Sequence, residues 1–582
     1  MLAAIGKFLL KGGNLARGSL PLRICDRGRD RPDPPDGQGK GHVAESEKGV
    51  LDDSLLLGVH MIFPCVRPLR LICATAAVAL SVLIHAPVAQ AQVTPFSQAL
   101  AEAAATQEAV AAFYAARDYA PLWTAPEQAA RRAAFLSALA QAHDHGLPVA
   151  RYDAGALAAL FRAARTEGDR GRIEVAMTRA FLAYARDLRT GILEPAQVDA
   201  SIHREPLRDD PALLLARLEA SDTAAFLRGL APEAPEYARL MKEKIALEAA
   251  VAAGGWGGAL TSGPLEPGAS GAAVVALRDR LVTLGYLQRS ATREYDAAIT
   301  SAVQRFQIDH GLPADGVAGE ATLAELNVGP ETRLKSVIVA MERLRWMTGV
   351  ERGARHIWVN LPDFSAKIVD HGKITFQTRG VIGKNVPDQR SPEFSDEMDH
   401  MVINPSWGVP RSIIVKEYLP LLQRNPNAVS HLQVIDGNGR VVPRGAVNFA
   451  SYSARSFPFG LRQPPSDGNA LGKVKFMFPN TYNIYLHDTP AKELFAHDIR
   501  AYSHGCIRLA DPFDFAYALL APQSADPKGE FQTHLDSRNE TRVDLQVKLP
   551  VHLVYFTAWP TAKGQMTYRR DVYGRDAALW EA

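Results

Sequence analysis

The chain has 582 residues, 47% hydrophobic and 22% charged, with 65 basic against 63 acidic side chains and a net charge of +2. At roughly 150 residues per domain this length makes about four domains and excludes a small disulfide scaffold. The near-balanced charge excludes holding nucleic acid or an acidic membrane through a bulk field, so specificity has to reside in a site.

Residues 1–60 include a stretch from Cys25 to Gly49 rich in Arg, Asp, Gly and Pro, with few periodic apolar residues, and no fold is expected for it. Met61 opens a different pattern: Arg67 and Arg70, the apolar run Leu71 to Ile84, then Ala89-Gln90-Ala91. Basic, apolar and small-x-small in that order reads as a secretory signal over 61–91, cleaved after Ala91. The apolar run is shorter than the ~20 residues that span a bilayer, so no stable anchor is expected after cleavage, the alternative being an uncleaved one. Translation is expected to start at Met61, with 1–60 an upstream segment foreign to the native protein. Cys25, Cys65 and Cys73 leave with these segments, and Cys506 remains as a lone thiol in an oxidising compartment.

Residues 92–258 are rich in Ala, Leu, Arg and Glu with apolar residues at helical spacing, such as Ala134, Leu136, Leu139 and Ala140, and predict a helical scaffold domain. His143-Asp144-His145 is expected to be a solvated helix end rather than a metal site, since adjacent residues point different ways around a helix. Gly254-Gly255-Trp256-Gly257-Gly258 is expected to be a flexible joint. A compact unit follows at 263–328, with the stripe Val274, Leu277, Leu281 and Leu284, then Gly285-Tyr286, then Ala302, Val303, Phe306 and Gln307. His310-Gly311-Leu312 and Asp315-Gly316-Val317-Ala318-Gly319 lead to a last helix with Thr322 as its expected cap. This order resembles the small three-helix peptidoglycan-binding module found beside many cell-wall enzymes, the alternative being a generic bundle that serves as a spacer. A linker helix is predicted over 329–350.

From 351 to 582 the period changes. His356 to Asn360, Ala366 to Val369 and Phe376 to Gly383 are short β-prone runs; Val543, Leu545, Val547 and Leu549 alternate, and Val551 to Phe556 continue them. The prediction is a mainly β domain with a more helical, polar insertion at about 411–459, read as a mobile lid over Cys506. The chain as a whole is thus a multidomain α+β protein.

Cys506 sits in Tyr502-Ser503-His504-Gly505-Cys506-Ile507-Arg508. A thiol of pKa ~8.5 becomes a strong nucleophile when an imidazole or backbone dipoles favour the thiolate, and His504 and His487 are both available. Gly505 permits close approach of backbone to substrate, and the amides around it are candidates for an oxyanion site. The alternative is a buried structural cysteine.

His487, fifteen intervening residues and then Ser503 to Arg508 resemble the signature of the L,D-transpeptidase catalytic domain. Ile403 to Ser412, with Trp407, and Asn469 to Phe476 agree with the same family, whose fold is β-sandwich-like. With the helical domain, the binding module and the insertion, everything after Ala91 resembles the large periplasmic L,D-transpeptidases of Gram-negative bacteria. Two departures stand out. Arg508 occupies a position where many relatives carry Asn, although the large Gram-negative branch often has Arg, and Gln463-Pro464-Pro465 lacks a glycine frequent after the first proline.

The resemblance implies that Cys506 attacks a peptidoglycan tetrapeptide stem at an L,D bond, with His487 as general base and acid, and that a second stem resolves the thioester into a 3→3 cross-link. It implies no cofactor and no metal. Gly505 is expected to supply an oxyanion-hole amide and His504 to shape the site. Arg508 is expected to pair with a stem carboxylate or in an ordinary surface ion pair, while Trp407 and Tyr485 wall the cleft and Ser503 and Asn469 contact substrate. The expected partner is the stem peptide, in the periplasm, for a monomeric enzyme. The acceptor stays open among a stem, a D-amino acid and a protein. Rivals are a cysteine amidase, which usually places Cys before His; a zinc carboxypeptidase, which needs a ligand set not seen here; and an inactive wall-binding scaffold.

Overall fold

The computed structural model describes residues 93–582, so the upstream segment (1–60) and the secretory signal (61–91) expected from sequence lie outside the described residues. The Ala- and Leu-rich region forms helices around Glu167–Thr190, whose start is set by a capping box: Thr166 accepts from the Asp169 N–H, and Asp169 accepts from that of Thr166. Inside this helical core Glu174 is fully buried and satisfied, accepting from the N–H groups of Leu122 (2.5 Å), Trp123 (3.0 Å) and Thr124 (2.9 Å) and from the Tyr114 hydroxyl (2.8 Å). His143 is exposed as expected, but His145 is not a solvated end. Its ring stacks on Tyr237 at 6.0 Å, and burial pulls its pKa down to about 4.

The glycine joint is tied down rather than free: Arg280 donates to the carbonyls of Trp256 (3.2 Å) and Gly258 (2.8 Å). Beyond it, helices Ala272–Thr283, Ala297–Asp309 and Glu320–Leu326 pack Val274, Leu277, Leu281, Ile299 and Phe306 into one core. Thr322 does not cap the last of these helices, whose N-cap is Gly319. It is buried and accepts from Gln307 Nε2 (3.1 Å), which also reaches Asp315 (2.7 Å).

The expected linker helix is Pro330–Trp346, and it is buried rather than connecting: Glu342, Arg343, Arg345 and Trp346 each expose 5% or less. Its arginines point inward, where each has a carboxylate partner. Arg345 pairs with Glu342 (2.7 Å), and Arg343 pairs with Glu393 (2.6 Å) and Asp576 (3.1 Å). Arg575, in the C-terminal helix Arg575–Glu581, reaches the same Glu393 (3.1 Å) and also Asp199 of the helical region (3.1 Å).

The β domain contains β1 (Arg355–Asn360), β2 (Ser365–Asp370), β3 (Lys373–Gly383), β4 (Phe394–Ile403), β5 (Trp407–Gly408), β6 (Gln433–Ile435), β7 (Val441–Val442) and β8 (Gly460–Gln463). It continues with β9 (Val474–Met477), β10 (Leu486–His487), β11 (Ala501–Ser503), β12 (Ile507–Leu509), β13 (Thr541–Val554), β14 (Ala558–Pro560) and β15 (Met566–Tyr568). The main sheet runs β11-β3-β12-β10-β9-β4-β13-β1-β2, and β3 also pairs with β2, so the sheet rolls upon itself around one apolar core. The alternation in β13 breaks at Val547, which is 72% exposed, because the register with β4 slips between Asp544 and Leu549.

The inserted segment is helical over 411–424, as expected within 411–459, but it is more than a polar lid. It is bracketed by strands, forms the sheet β5-β8-β6-β7, and buries its own core of Ile413, Leu422, Val434, Phe449 and Leu461. Strands of two to four residues are too short for alternation to register in sequence.

Glu393→Ala leaves Arg343 and Arg575 sharing a buried site without their common carboxylate, and removing one partner of such a cluster costs roughly 3–5 kcal/mol. The urea midpoint of the full chain should fall accordingly; a midpoint equal to the parent's would contradict the role given to this cluster.

Candidate active site

β10 and β12 pair in parallel, Leu486 opposite Ile507 and His487 opposite Arg508. Alternation sorts the side chains: Leu486 and Ile507 enter the core, whereas Tyr485, His487, Cys506 and Arg508 line a cleft of about 1000 Å³. β9 extends the row by placing Lys475 opposite His487.

The His487 ring is buried, and its Nδ1 lies 2.5 Å from the Asp488 carbonyl. A carbonyl only accepts, so Nδ1 carries the proton and Nε2 keeps its lone pair for use as a base. Burial, then the positive charges of Arg508, Lys475 and Lys492, hold the ring's pKa down to about 3, so it is neutral.

Cys506 Sγ lies 3.5 Å from the Asn483 carbonyl. Burial pushes its thiol up to about 11, against the pull of the Tyr485 N–H and hydroxyl and of the Arg508 charge. Each group is thereby favoured in its neutral form, thiol and imidazole.

The loop around Cys506 is braced from within. Ser503 Oγ donates to the Cys506 carbonyl (2.5 Å) and accepts from the Gly505 N–H (3.1 Å). Gly505 has φ +120°, a conformation that favours glycine, and its carbonyl accepts from Ser391 Oγ (2.6 Å). The Gly505 amide, expected to face an oxyanion, is thus engaged by Ser503. Among the described residues the Cys506 N–H has no protein acceptor.

Other expectations divide. Ser503 borders the cleft, but its hydroxyl is turned into the loop rather than toward a substrate. His504 Nε2 lies 2.7 Å from Glu417 of the inserted subdomain, so the ring joins that subdomain to the loop. Trp407 and Tyr485 both wall the cleft. Asn469 does not: it has no exposed surface, its Nδ2 donates to the Gln463 (3.3 Å) and Pro464 (3.0 Å) carbonyls, and its Oδ1 accepts from the Leu471 N–H (2.8 Å). It shapes the loop that sequence marked as divergent. Arg508 lines the cleft with its Nε buried and without a hydrogen-bond partner. It forms no surface ion pair among the described residues.

Sequence reasoning missed the Asp488 carbonyl, Ser391 and Glu417. A backbone carbonyl has no residue signature, and the other two lie far along the chain from Cys506. Among the described residues no group of three or more His, Cys, Asp or Glu could hold a metal ion, and no helix is long and apolar enough to cross a membrane.

A thiol and a neutral imidazole on one cleft, with an unpaired amide at the thiol's own residue, are parts that nucleophilic acyl transfer uses. The family model of the L,D-transpeptidase catalytic domain (YkuD) matches residues 354–528, that of the "Putative peptidoglycan binding domain" residues 270–326, and that of a scaffold domain residues 108–243. The chain therefore carries an L,D-transpeptidase catalytic domain behind a peptidoglycan-binding domain. A protein of Haemophilus influenzae named "Putative L,D-transpeptidase" is 31% identical over 240 residues, which are 41% of this chain and 47% of that protein. The match thus spans about half the length of that relative. Crystal structures of L,D-transpeptidases from Xylanimonas cellulosilytica (16% identity, 50% of this chain and 98% of that one, TM-score 0.16) and Stackebrandtia nassauensis (16%, 50% and 97%, TM-score 0.20) also match.

Because burial pushes the Cys506 thiol up to about 11, its alkylation by iodoacetamide should keep rising through pH 9 and 10 instead of levelling off. Mass spectrometry of the Cys506 peptide reads this directly. A plateau by pH 8 would show a thiolate at rest and contradict the neutral pair.

Proposed function

We propose that this chain is a peptidoglycan L,D-transpeptidase working through a cysteine thioester at the cell wall on the periplasmic side. The observation that carries the reading is the His487 ring, fixed by the Asp488 carbonyl as a neutral Nε2 base on the cleft that holds Cys506, inside the region matched to the catalytic domain.

As His487 Nε2 takes its proton, Cys506 Sγ attacks the carbonyl of the third residue of a tetrapeptide stem. The oxyanion so formed meets the Cys506 N–H. His487 returns the proton to the departing D-alanine amine, and the acyl group stays on sulfur. An amine of a second stem, the side chain of its diamino acid, then attacks the thioester to give a 3→3 cross-link and restore the thiol. The energy of the broken amide is held in the thioester, so the reaction as drawn uses no cofactor. Arg508, whose buried Nε has no protein partner, suits the free carboxylate at the donor's end. The peptidoglycan-binding domain suits holding the enzyme against polymeric wall.

The test is muropeptide analysis after incubating the purified protein with tetrapeptide-containing fragments. D-alanine release with new 3→3 dimers is expected, reduced roughly 10³-fold or more in Cys506→Ala. Tripeptide without dimers would make the protein an L,D-carboxypeptidase, and no reaction would contradict the enzymatic reading.

A further inference from the structure

A second groove, of about 530 Å³, lies where the helical region meets the β domain, and it shares Tyr482 with the cleft around Cys506. In it His203, from the helical region, stacks flat on Tyr482 with ring centroids 3.9 Å apart and planes 11° apart, while Phe394 meets Tyr482 edge-on at 4.9 Å. His203 is held there by the backbone: its N–H donates to the Glu393 carbonyl (2.8 Å). The next residue, Arg204, is buried, with its guanidinium engaged by Ser395 Oγ (2.5 Å) and the carbonyls of Phe394 (3.1 Å) and Leu553 (2.7 Å). The helical region thus contributes a positioned side chain to the wall of this groove.

The groove reaches close to the chemistry. Tyr482 precedes Asn483, whose carbonyl is 3.5 Å from Cys506 Sγ. The groove's lining carries Glu205 and Asp396 beside the buried Arg204, whereas the cleft's carries Arg411, Lys416 and Arg508 beside Asp388 and Glu417. Glu205 is exposed and Asp396 half-buried, and neither belongs to an ion pair among the described residues. The cleft on the other side of Tyr482 carries the unpartnered Arg508. A carboxylate-ended donor suits the cleft, and an ammonium-ended group suits the groove.

We propose that this groove is the acceptor subsite: it takes the amine-bearing side chain of the second stem peptide and leads it past Tyr482 to the acyl-enzyme. This rests on the transpeptidase reading. The ammonium is gathered by Glu205 and Asp396, gives one proton to solvent, and attacks the thioester carbonyl as a neutral amine. The C–N bond forms and the C–S bond breaks. The second amine proton passes through His487 Nε2 to the departing sulfur. A helical domain with no catalytic group of its own thereby acquires a role in choosing amine over water.

The experiment uses the full chain, a tetrapeptide donor whose side-chain amine is acetylated so that it cannot accept, and a separate tripeptide acceptor with that amine free. The burst of D-alanine reports acylation and the folded state of each variant; the amide product against the hydrolysed donor reports partitioning. In Glu205→Gln combined with Asp396→Asn, the acceptor KM is expected to rise at least tenfold while the acylation burst stays within twofold of the parent. Glu205→Lys, at an exposed position, should raise the acceptor KM further. An unchanged acceptor KM, or a parallel fall of acylation and transfer, would overturn the groove assignment alone. Absence of any thioester in the parent protein would overturn the transpeptidase reading and the assignment with it.

Discussion

Two buried guanidiniums, Arg343 and Arg575, share the single carboxylate of Glu393, and the relation between the regions depends on that arrangement. Charges out of water are tolerable only while paired, so the helical region, the Pro330–Trp346 helix, the β domain and the C-terminal helix are held by what it would cost to separate them. The same cluster leads into the active site. Arg575 Nη2 donates to the Ser391 carbonyl (3.0 Å), and Ser391 Oγ donates to the Gly505 carbonyl (2.6 Å), so the loop carrying Cys506 hangs from a side chain fixed by the cluster.

From that anchor the site is assembled by backbone. β-pairing places His487 and Arg508 side by side, the Asp488 carbonyl selects the imidazole tautomer, and Ser503 closes the loop around Gly505. The chemistry that results is that of a protected thiol. With burial favouring its thiol form, Cys506 is less open to oxidation than a standing thiolate, and in the proposed reaction it gains nucleophilicity as His487 removes its proton. The inserted subdomain is tied to the loop by Glu417 and His504, which gives a core-bearing unit, rather than a simple flap, one wall of the cleft.

The proposed reacting groups are side chains in a spaced motif, and Cys506 and His487 do come down to one cleft, with Tyr485, Trp407 and Arg508 beside them. What was not legible in the sequence was whatever depends on partners far along the chain. The Pro330–Trp346 helix reads in the sequence as a linker, and only the fold supplies Glu393 and Asp576 to pair its Arg343. Asn469 looks like a substrate contact until its amide is found closing its own loop. Gly505 supplies its conformation rather than its amide, a distinction set by where one serine hydroxyl points. The four short strands of the inserted subdomain carry too few residues for a period to show.

The central claim is that Cys506 carries the acyl group, and intact mass spectrometry tests it most directly. With tetrapeptide donor present and no acceptor, the protein should gain the mass of the tripeptide acyl group on the peptide containing Cys506, and hydroxylamine should remove it. Turnover of the donor with no such adduct, or an adduct that survives on another residue in Cys506→Ala, would contradict the account.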